Sequence, residues 1–334
     1  MPIAFKLIIA SLFIPVFGLA QYKNLVFKGG GIRGIAYTGA IEVLEEKHVM
    51  PGIENVAGTS VGSIVAALVS VGYTGREMKD IMFDLEIKLF NDGKWFFVGG
   101  QKRLRRNFGW YRGEAIEKWT AALIEKKTGN ANITFGQLHK LALTDKSYKD
   151  LYITATNLTL QKATIFSWRT YPDMPVKTAV KASTAIPLYY SAVVLDSSGQ
   201  VVRKPRYAHN SQVFVDGGIL ENYPVELFDS GKIANKQTLG LNLTRPEQIA
   251  YNGKGDGLAP YTIATFGNYM GALYNVIIEH LNRTSPLSQD KWRTIYLSTD
   301  NINPKVRGIT TEQKTKLSNN GRAAVTDFFN RIAP

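Results

Sequence analysis

Residues 24–34 read Asn24-Leu25-Val26-Phe27-Lys28-Gly29-Gly30-Gly31-Ile32-Arg33-Gly34, and this stretch decides the fold. Its apolar start predicts a short strand at Leu25–Phe27, and residues 35–47 that follow carry apolar side chains at helical spacing. The glycines between strand and helix allow several backbone N–H groups to point at one place. The stretch therefore predicts a loop that can stabilise developing negative charge, as an oxyanion hole does.

A second glycine-flanked element follows, Gly58-Thr59-Ser60-Val61-Gly62, between Val56-Ala57 and the nearly all-apolar segment 63–71. The pattern predicts a strand, a tight turn that carries the Ser60 hydroxyl, and a buried helix. The N-terminus of that helix favours an alkoxide on Ser60, which suits a nucleophile for acyl transfer. The alternative is an ordinary turn with Ser60 as a helix cap. Strand–helix–strand–helix order predicts parallel strands with helices on their faces.

The third element is Asp216-Gly217-Gly218, which directly follows the apolar run Val213-Phe214-Val215. A carboxylate there can take the proton of Ser60 during attack and return it to the leaving alcohol. The alternative is an aspartate in a type I turn, which is common before glycines. No histidine has a motif around it, although His209 lies close before Asp216; the four histidines are His48, His139, His209 and His280.

The glycine loop also contains the G-x-G-x-x-G pattern of dinucleotide-binding folds, and Glu54 stands where a ribose-binding acid is sought. However, Glu54 precedes the apolar residues of the second strand, and Ser60 occupies the end of that strand. Acyl transfer is therefore favoured, with the N–H groups of Gly30, Gly31 and Ile32 or Arg33 around the oxyanion. Two interpretations of the Arg33 side chain stay open, a contact with a substrate phosphate and a brace of the loop through an internal ion pair.

The three motifs, in this order, resemble the patatin-like phospholipase family, and the segment Lys181-Ala182-Ser183-Thr184-Ala185-Ile186-Pro187 adds to the likeness. The resemblance implies a three-layer α/β sandwich with a central, mostly parallel sheet and a Ser–Asp dyad that needs neither metal nor cofactor. It implies Ser60 as nucleophile and Asp216 as base. The oxyanion residues it implies are Gly29, Gly30, Gly31, Ile32 and Arg33, with supporting glycines Gly34, Gly58, Gly62, Gly217 and Gly218. Lys28 departs from the family, since many members have Asp or a small residue there.

The first 20 residues resemble a secretory signal peptide, because Lys6 precedes the apolar run 7–17, and Gly18 and Ala20 suit a cleavage site. This predicts a secreted or periplasmic protein; an uncleaved membrane anchor and a buried first strand are the alternatives. Residues 21–334 are predicted to form one domain, with a motif-bearing core at 24–243 and a helical extension at 246–334. Its tail is predicted to be helical from Thr310, with a break near Asn319-Asn320-Gly321, and another helix is expected at 111–126.

The net charge of +13 favours an anionic partner, and no nucleic-acid-binding motif is present. Residues 76–110 interleave aromatic and basic side chains, which suits a lipid–water interface as well as a helical subdomain with a solvated basic turn. We expect a phospholipid or glycerolipid substrate and peripheral contact with anionic membranes, and no nucleic acid. The chain has no cysteine, which excludes disulfides and thiolate metal sites. The sequence does not set the oligomeric state.

These observations favour a lipid acyl hydrolase of the phospholipase A type. The alternatives are a nonspecific carboxylesterase and a non-catalytic membrane-binding protein, whereas a nucleotide-binding enzyme is disfavoured. No carboxylate-rich loop is evident, so we expect calcium to be dispensable.

Overall fold

The computed structural model describes residues 22–93, 96–202, 211–252, 257–282, 290–300, 302 and 308–332. The leader, His209 and Trp95, an aromatic residue of the segment 76–110, lie outside these residues, so the expectations that involve them stay predictions. In the first half of the chain the elements are β1 (Asn24–Phe27), α1 (Ala36–Glu46), β2 (Asn55–Thr59), α2 (Val61–Ser70), α3 (Gly75–Asp84), α4 (Phe96–Asn107), β3 (Gly109–Tyr111), α5 (Glu114–Thr128), α6 (Phe135–Thr144) and β4 (Asp150–Asn157).

The second half begins with the hairpin partner of β4. Its elements are β5 (Lys162–Phe166), α7 (Val176–Ser183), β6 (Leu188–Tyr190), β7 (Val193–Leu195), β8 (Gln212–Asp216), β9 (Thr238–Thr244), α8 (Pro246–Tyr251), α9 (Phe266–Leu281), β10 (Thr294–Ser298) and α10 (Thr311–Ile332). Within the described ranges, no helix combines the length and apolar character that crossing a membrane requires.

The central sheet has the strand order β10-β9-β1-β2-β4-β8-β7, with β5 paired to β4. Strands β10, β9, β1, β2 and β4 are mutually parallel, whereas β5 and β8 run antiparallel to β4 and β7 runs antiparallel to β8. All four residues of β1 are buried, as expected for a central strand covered on both faces. The predicted α/β class, with a mostly parallel sheet between helices, is confirmed.

The glycine loop and the serine turn both follow carboxyl ends of parallel strands, so they meet at one edge of the sheet. The helix predicted after Ser60 is α2, and every residue from Gly62 to Ser70 is buried. Glu54 lies at the opposite edge, before β2, with a half-exposed side chain that pairs with Lys23 at 3.3 Å. That separation removes the geometric basis for a ribose-binding role of Glu54.

The segment after Arg245 is not purely helical, because it supplies β10, the outermost strand of the central sheet beside β9. Helix α10 is also continuous where a break was expected at Asn319-Asn320-Gly321. Gly321 lies where α10 crosses α1, and a β-carbon there would overlap the carbonyl oxygen of Ala36. Asn320 donates from Nδ2 to the carbonyl of Ser298 at 3.1 Å. These residues serve the packing of α10 rather than its termination.

Residues 76–110 form a helical subdomain made of α3, a 3-10 turn at Ile87–Phe90, and α4. Strand β3 then pairs in parallel with β6 in a small second sheet. The helix expected from Tyr111 begins at Glu114 instead, because Tyr111 ends β3 and Gly113 adopts a left-handed backbone with φ of 70°.

Candidate active site

Ser60 occupies a sharp, strained turn between β2 and α2. Its backbone has φ of 52° and ψ of −124°, a conformation that side-chain-bearing residues rarely adopt. The turn is so tight that a β-carbon at Gly58 would lie 2.2 Å from the carbonyl oxygen of Gly62. A β-carbon at Gly62 would lie 2.3 Å from the carbonyl oxygen of Phe27. The glycines of the G-x-S-x-G pattern are therefore required by close backbone packing around Ser60.

The Ser60 hydroxyl donates a hydrogen bond of 2.7 Å from Oγ to Oδ2 of Asp216. Strand β4 lies beside β2 on one side and β8 on the other, and Asp216 is opposite Ala155 in the register of β4 and β8. The antiparallel direction of β8 points its carboxyl end toward the serine turn. The sheet thus brings together two residues that are 156 positions apart in the chain.

The Asp216 side chain is buried and held at both oxygens. Oδ2 accepts the bond from Ser60, and Oδ1 accepts from the N–H of Gly218 at 2.8 Å. The backbone N–H of Asp216 donates to the carbonyl of Ala185 at 2.9 Å. Burial raises the pKa of Asp216 from 3.8 to about 6, although the hydrogen bonds from Gly218 and Ser60 oppose that rise. A carboxylate with this pKa is ionised near neutral pH and is a stronger base than an exposed aspartate.

The glycine loop continues β1 and turns into a 3-10 helix at Gly31–Ile35. The N–H of Gly29 donates to the carbonyl of Asn222 at 3.0 Å, so it is engaged in the fold. The N–H groups at the start of the 3-10 helix have no acceptor within that helix. Of the five residues predicted for the oxyanion hole, Gly29 has its N–H engaged within the fold, and the oxyanion role of Gly30, Gly31, Ile32 and Arg33 stays a prediction.

The side chain of Arg33 braces the loop, since its Nε donates to the carbonyl of Gly30 at 2.9 Å. A brace within the loop was one of the two interpretations that the sequence left open, although this bond goes to a backbone carbonyl and is not the ion pair that was expected. The bond also fixes the peptide that follows Gly30, whose N–H belongs to Gly31.

Two site residues were missed in the motif analysis. Ser183 accepts a hydrogen bond of 2.9 Å at Oγ from the N–H of Ser60, and it belongs to the segment 181–187 that carried part of the family resemblance. Asn222 links the glycine loop to the aspartate loop, which is Asp216-Gly217-Gly218. Its carbonyl accepts from the N–H of Gly29, and its Oδ1 lies close to both Gly29 and Gly218. The family-like segment 181–187 contains Ser183 and could have indicated its role. Asn222 belongs to no recognised sequence motif.

An apolar cleft opens beside Ser60. Its walls come from α2, α5, the end of α3 and the 3-10 turn that follows it. The lining side chains include Val61, Ile64, Met82, Leu85, Ile87, Phe90, Ile116, Trp119, Ile186 and Tyr190. Residues 76–110 therefore contribute one wall of the cleft, a role that their sequence did not reveal.

Of the two histidines whose side chains the structure describes, His48 and His139, neither bonds to Ser60 or Asp216. His139 pairs its Nδ1 with Oδ1 of Asp150 at 2.8 Å and stacks on Trp168 with ring centroids 3.9 Å apart. His48 is exposed in the turn after α1. The part of the chain that the structure describes contains no group of three or more His, Cys, Asp or Glu side chains placed to hold a metal ion.

Comparison with known proteins identifies the family of the chain. The family model for patatin-like phospholipases matches residues 25–229. The uncharacterised protein YqhO of Bacillus subtilis is 31% identical over 238 residues, which cover 68% of this chain and 73% of that protein. The probable lipid hydrolase 463L of invertebrate iridescent virus 6 is 28% identical over 206 residues, covering 62% of this chain and 63% of that protein.

The fold is also shared with solved structures. VipD from Legionella pneumophila matches with a TM-score of 0.58 at 17% sequence identity, over 93% of this chain and 67% of VipD. At that level of identity the likeness shows the fold alone.

Proposed function

This chain belongs to the patatin-like phospholipase family, and we propose that it cleaves acyl esters of phospholipids or other glycerolipids with Ser60 as nucleophile and Asp216 as base. The observation that carries the proposal is the hydrogen bond of 2.7 Å from Ser60 Oγ to Asp216 Oδ2. Nucleophile and base are already within the distance that proton transfer requires.

In the first step Ser60 Oγ attacks the ester carbonyl carbon while its proton passes to Asp216 Oδ2. The C–O bond to the glycerol oxygen then breaks, and Asp216 returns the proton to that leaving oxygen. Water, deprotonated by Asp216, attacks the acyl-enzyme and releases the fatty acid, with the proton going back to Ser60. Both half-reactions use the same two side chains.

The tetrahedral intermediate carries an oxyanion, for which the N–H groups of Gly30, Gly31 and Ile32 are the proposed donors. Each such donor contributes about 3 kcal/mol to transition-state stabilisation. The N-terminus of α2, which begins next to Ser60, adds a favourable partial positive charge.

The apolar cleft supports an acyl chain as the group that is transferred. Its lining is almost entirely hydrocarbon, so a fatty acyl chain loses contact with water on entering it. The cleft therefore supports a lipid acyl hydrolase over the alternative of a nonspecific carboxylesterase.

Peripheral contact with an anionic membrane is part of the proposal. Helix α4 exposes Lys102, Arg105 and Arg106, and the residues beside it expose the apolar side chains of Phe108 and Leu188. Leu188 pairs with Gly109 in the small sheet and lies between the cleft residues Ile186 and Tyr190. Cations and apolar side chains together suit the headgroup layer of a bilayer.

The proposal is tested by fatty acid release from phospholipid vesicles and from a dissolved short-chain ester. We expect Ser60→Ala and Asp216→Ala each to abolish both activities, while the exposed-site control Asp173→Asn retains them. Activity in both purified active-site variants removes the proposal. Hydrolysis of the dissolved ester without any release from vesicles favours the carboxylesterase.

A further inference from the structure

Helix α9 lies outside the family match and has two different faces. Ala272 and Ile278 are buried on its inner face. Its outer face exposes apolar side chains at helical spacing, each between 42% and 53% accessible: Tyr269, Leu273, Val276, Ile277 and Leu281. In an amphipathic helix, an apolar stripe of this kind is the face that is stabilised when a membrane interface removes it from water.

The inner face of α9 contacts both catalytic loops. Lys28, directly before the glycine loop, pairs its Nζ with Oε1 of Glu279 at 2.6 Å, and its side chain is only 8% exposed. Asn282, at the end of α9, donates from Nδ2 to the carbonyl of Gly218 at 2.9 Å and accepts at Oδ1 from the N–H of Asn222. A surface bound to the outer face of α9 is therefore separated from the glycine loop and the aspartate loop by the width of one helix.

The size of this surface and the net charge of the whole chain indicate its occupant. Each of the five side chains exposes about half its area, which sums to on the order of 500 Å² and is below the ~800 Å² per partner of a stable protein interface. A bilayer has no such minimum, because an interfacial helix gains from every apolar side chain that enters the headgroup layer. The net charge of +13 attracts the chain to an anionic surface.

We propose that the outer face of α9 docks on an anionic phospholipid bilayer and so holds the catalytic loops at the lipid surface. The inference rests on the proposed function, since it places the enzyme where its substrate is. Helix α9 lies in the plane of the interface with Leu273 and Ile277 directed into the lipid. The Lys28–Glu279 pair and the hydrogen bonds of Asn282 join the docked helix to the glycine loop and the aspartate loop.

The absence of cysteine allows a site-specific test with the full chain. In a Ser60→Ala background, Leu273→Cys is labelled with an environment-sensitive fluorophore and mixed with phosphatidylglycerol vesicles. Ile233→Cys is the matched control, because Ile233 is 74% exposed and lies before β9, at the opposite edge of the sheet. We expect the fluorescence of the Leu273 label to rise at least about twofold while the Ile233 label stays unchanged.

An unchanged Leu273 label, or equal responses at both positions, overturns the inference. A Leu273 response that needs no vesicles and grows with protein concentration also overturns it, because a second copy of the chain then covers α9. Since Ser60→Ala removes catalysis, the result does not depend on whether the protein hydrolyses phospholipid.

A second experiment separates docking from chemistry. The variant Leu273→Glu/Ile277→Glu should lower release of fatty acid from phosphatidylglycerol vesicles at least about tenfold and leave hydrolysis of a dissolved short-chain ester within about twofold. Leu143→Glu, at another exposed apolar position, is the control. Unaltered vesicle hydrolysis by the double variant overturns the docking inference and leaves the proposed function standing. If the double variant loses both activities, the fluorescence responses of the Leu273 and Ile233 labels decide whether α9 docks on the bilayer.

Discussion

Ser60 and Asp216 share a hydrogen bond of 2.7 Å although β8, which carries Asp216, enters the sheet antiparallel to its neighbour β4. The register explains this contact: Asp216, the last residue of β8, is opposite Ala155, and the preceding residue of β4, Thr154, is opposite Thr59, which directly precedes Ser60. The burial that this arrangement imposes on Asp216 has consequences for both activity and stability.

The activity of the enzyme should depend on pH through Asp216. The carboxylate must be ionised to accept the Ser60 proton, and burial raises its pKa to about 6. We therefore expect kcat/KM for a dissolved ester to rise about tenfold per pH unit below that value and to level off above it. A pH–rate profile measures this, and a profile that stays flat down to pH ~4, the range of an exposed aspartate, contradicts it.

The same pKa shift should make the wild-type protein less stable as pH rises. Between the ordinary pKa of 3.8 and the folded-state value of about 6, the folded protein holds more protons than the unfolded chain. The free energy of unfolding therefore falls through this window, and above it the loss amounts to at most about 3 kcal/mol.

Replacement of the carboxyl by a neutral amide should remove this effect. We expect Asp216→Asn to melt at a higher temperature than wild type at pH ~8, with the difference shrinking toward pH ~4. Thermal unfolding at both pH values measures it, and the exposed-site variant Asp173→Asn should show no such dependence. A lower melting temperature for Asp216→Asn at pH ~8 would sink the prediction.

The Lys28–Glu279 pair should show strong coupling in a double-mutant cycle. Lys28→Met leaves Glu279 without its ammonium partner at 2.6 Å, so we expect a loss of about 2–3 kcal/mol in the free energy of unfolding. Lys28→Met/Glu279→Leu should regain most of that loss, because the double variant removes both charges of the pair. Chemical denaturation of the four proteins measures the cycle, and strictly additive losses would argue against a coupled pair.

The cleft beside Ser60 should set acyl-chain preference. Leu85 lines the cleft and is only partly buried, so Leu85→Trp can fill the space without disrupting the core. We expect kcat/KM for a long-chain ester to fall at least about tenfold and that for a butyryl ester to change less than about twofold. Leu143→Trp, at an exposed position that does not line the cleft, is the control. Equal losses for both esters would place the acyl chain elsewhere.

Much of this arrangement could be predicted from the sequence because it is local. The strand before Gly29, the turn around Ser60 and the strand before Asp216 each have apolar runs with glycines at fixed offsets, and their periodicity indicates their conformation. The meeting of Ser60 with Asp216 followed from the resemblance, since no local pattern reports that β8 is antiparallel.

The residues that sequence reasoning missed depend on long-range packing. Gly321 is a residue type that often ends helices, yet here it lies within α10 and permits the helix to approach Ala36 closely. The cleft wall formed by Met82 and Phe90 and the Asn282 contacts with the aspartate loop join segments far apart in the chain. Neither propensity nor spacing encodes such contacts.

The most direct test of the account is the rate at which a long-chain alkyl fluorophosphonate labels the protein, with the adduct located by peptide mapping. We predict one adduct, on Ser60, formed at least about a hundredfold more slowly in Asp216→Asn because the base no longer accepts the serine proton. An adduct on another residue, or equal labelling rates in both proteins, would contradict the Ser60–Asp216 dyad.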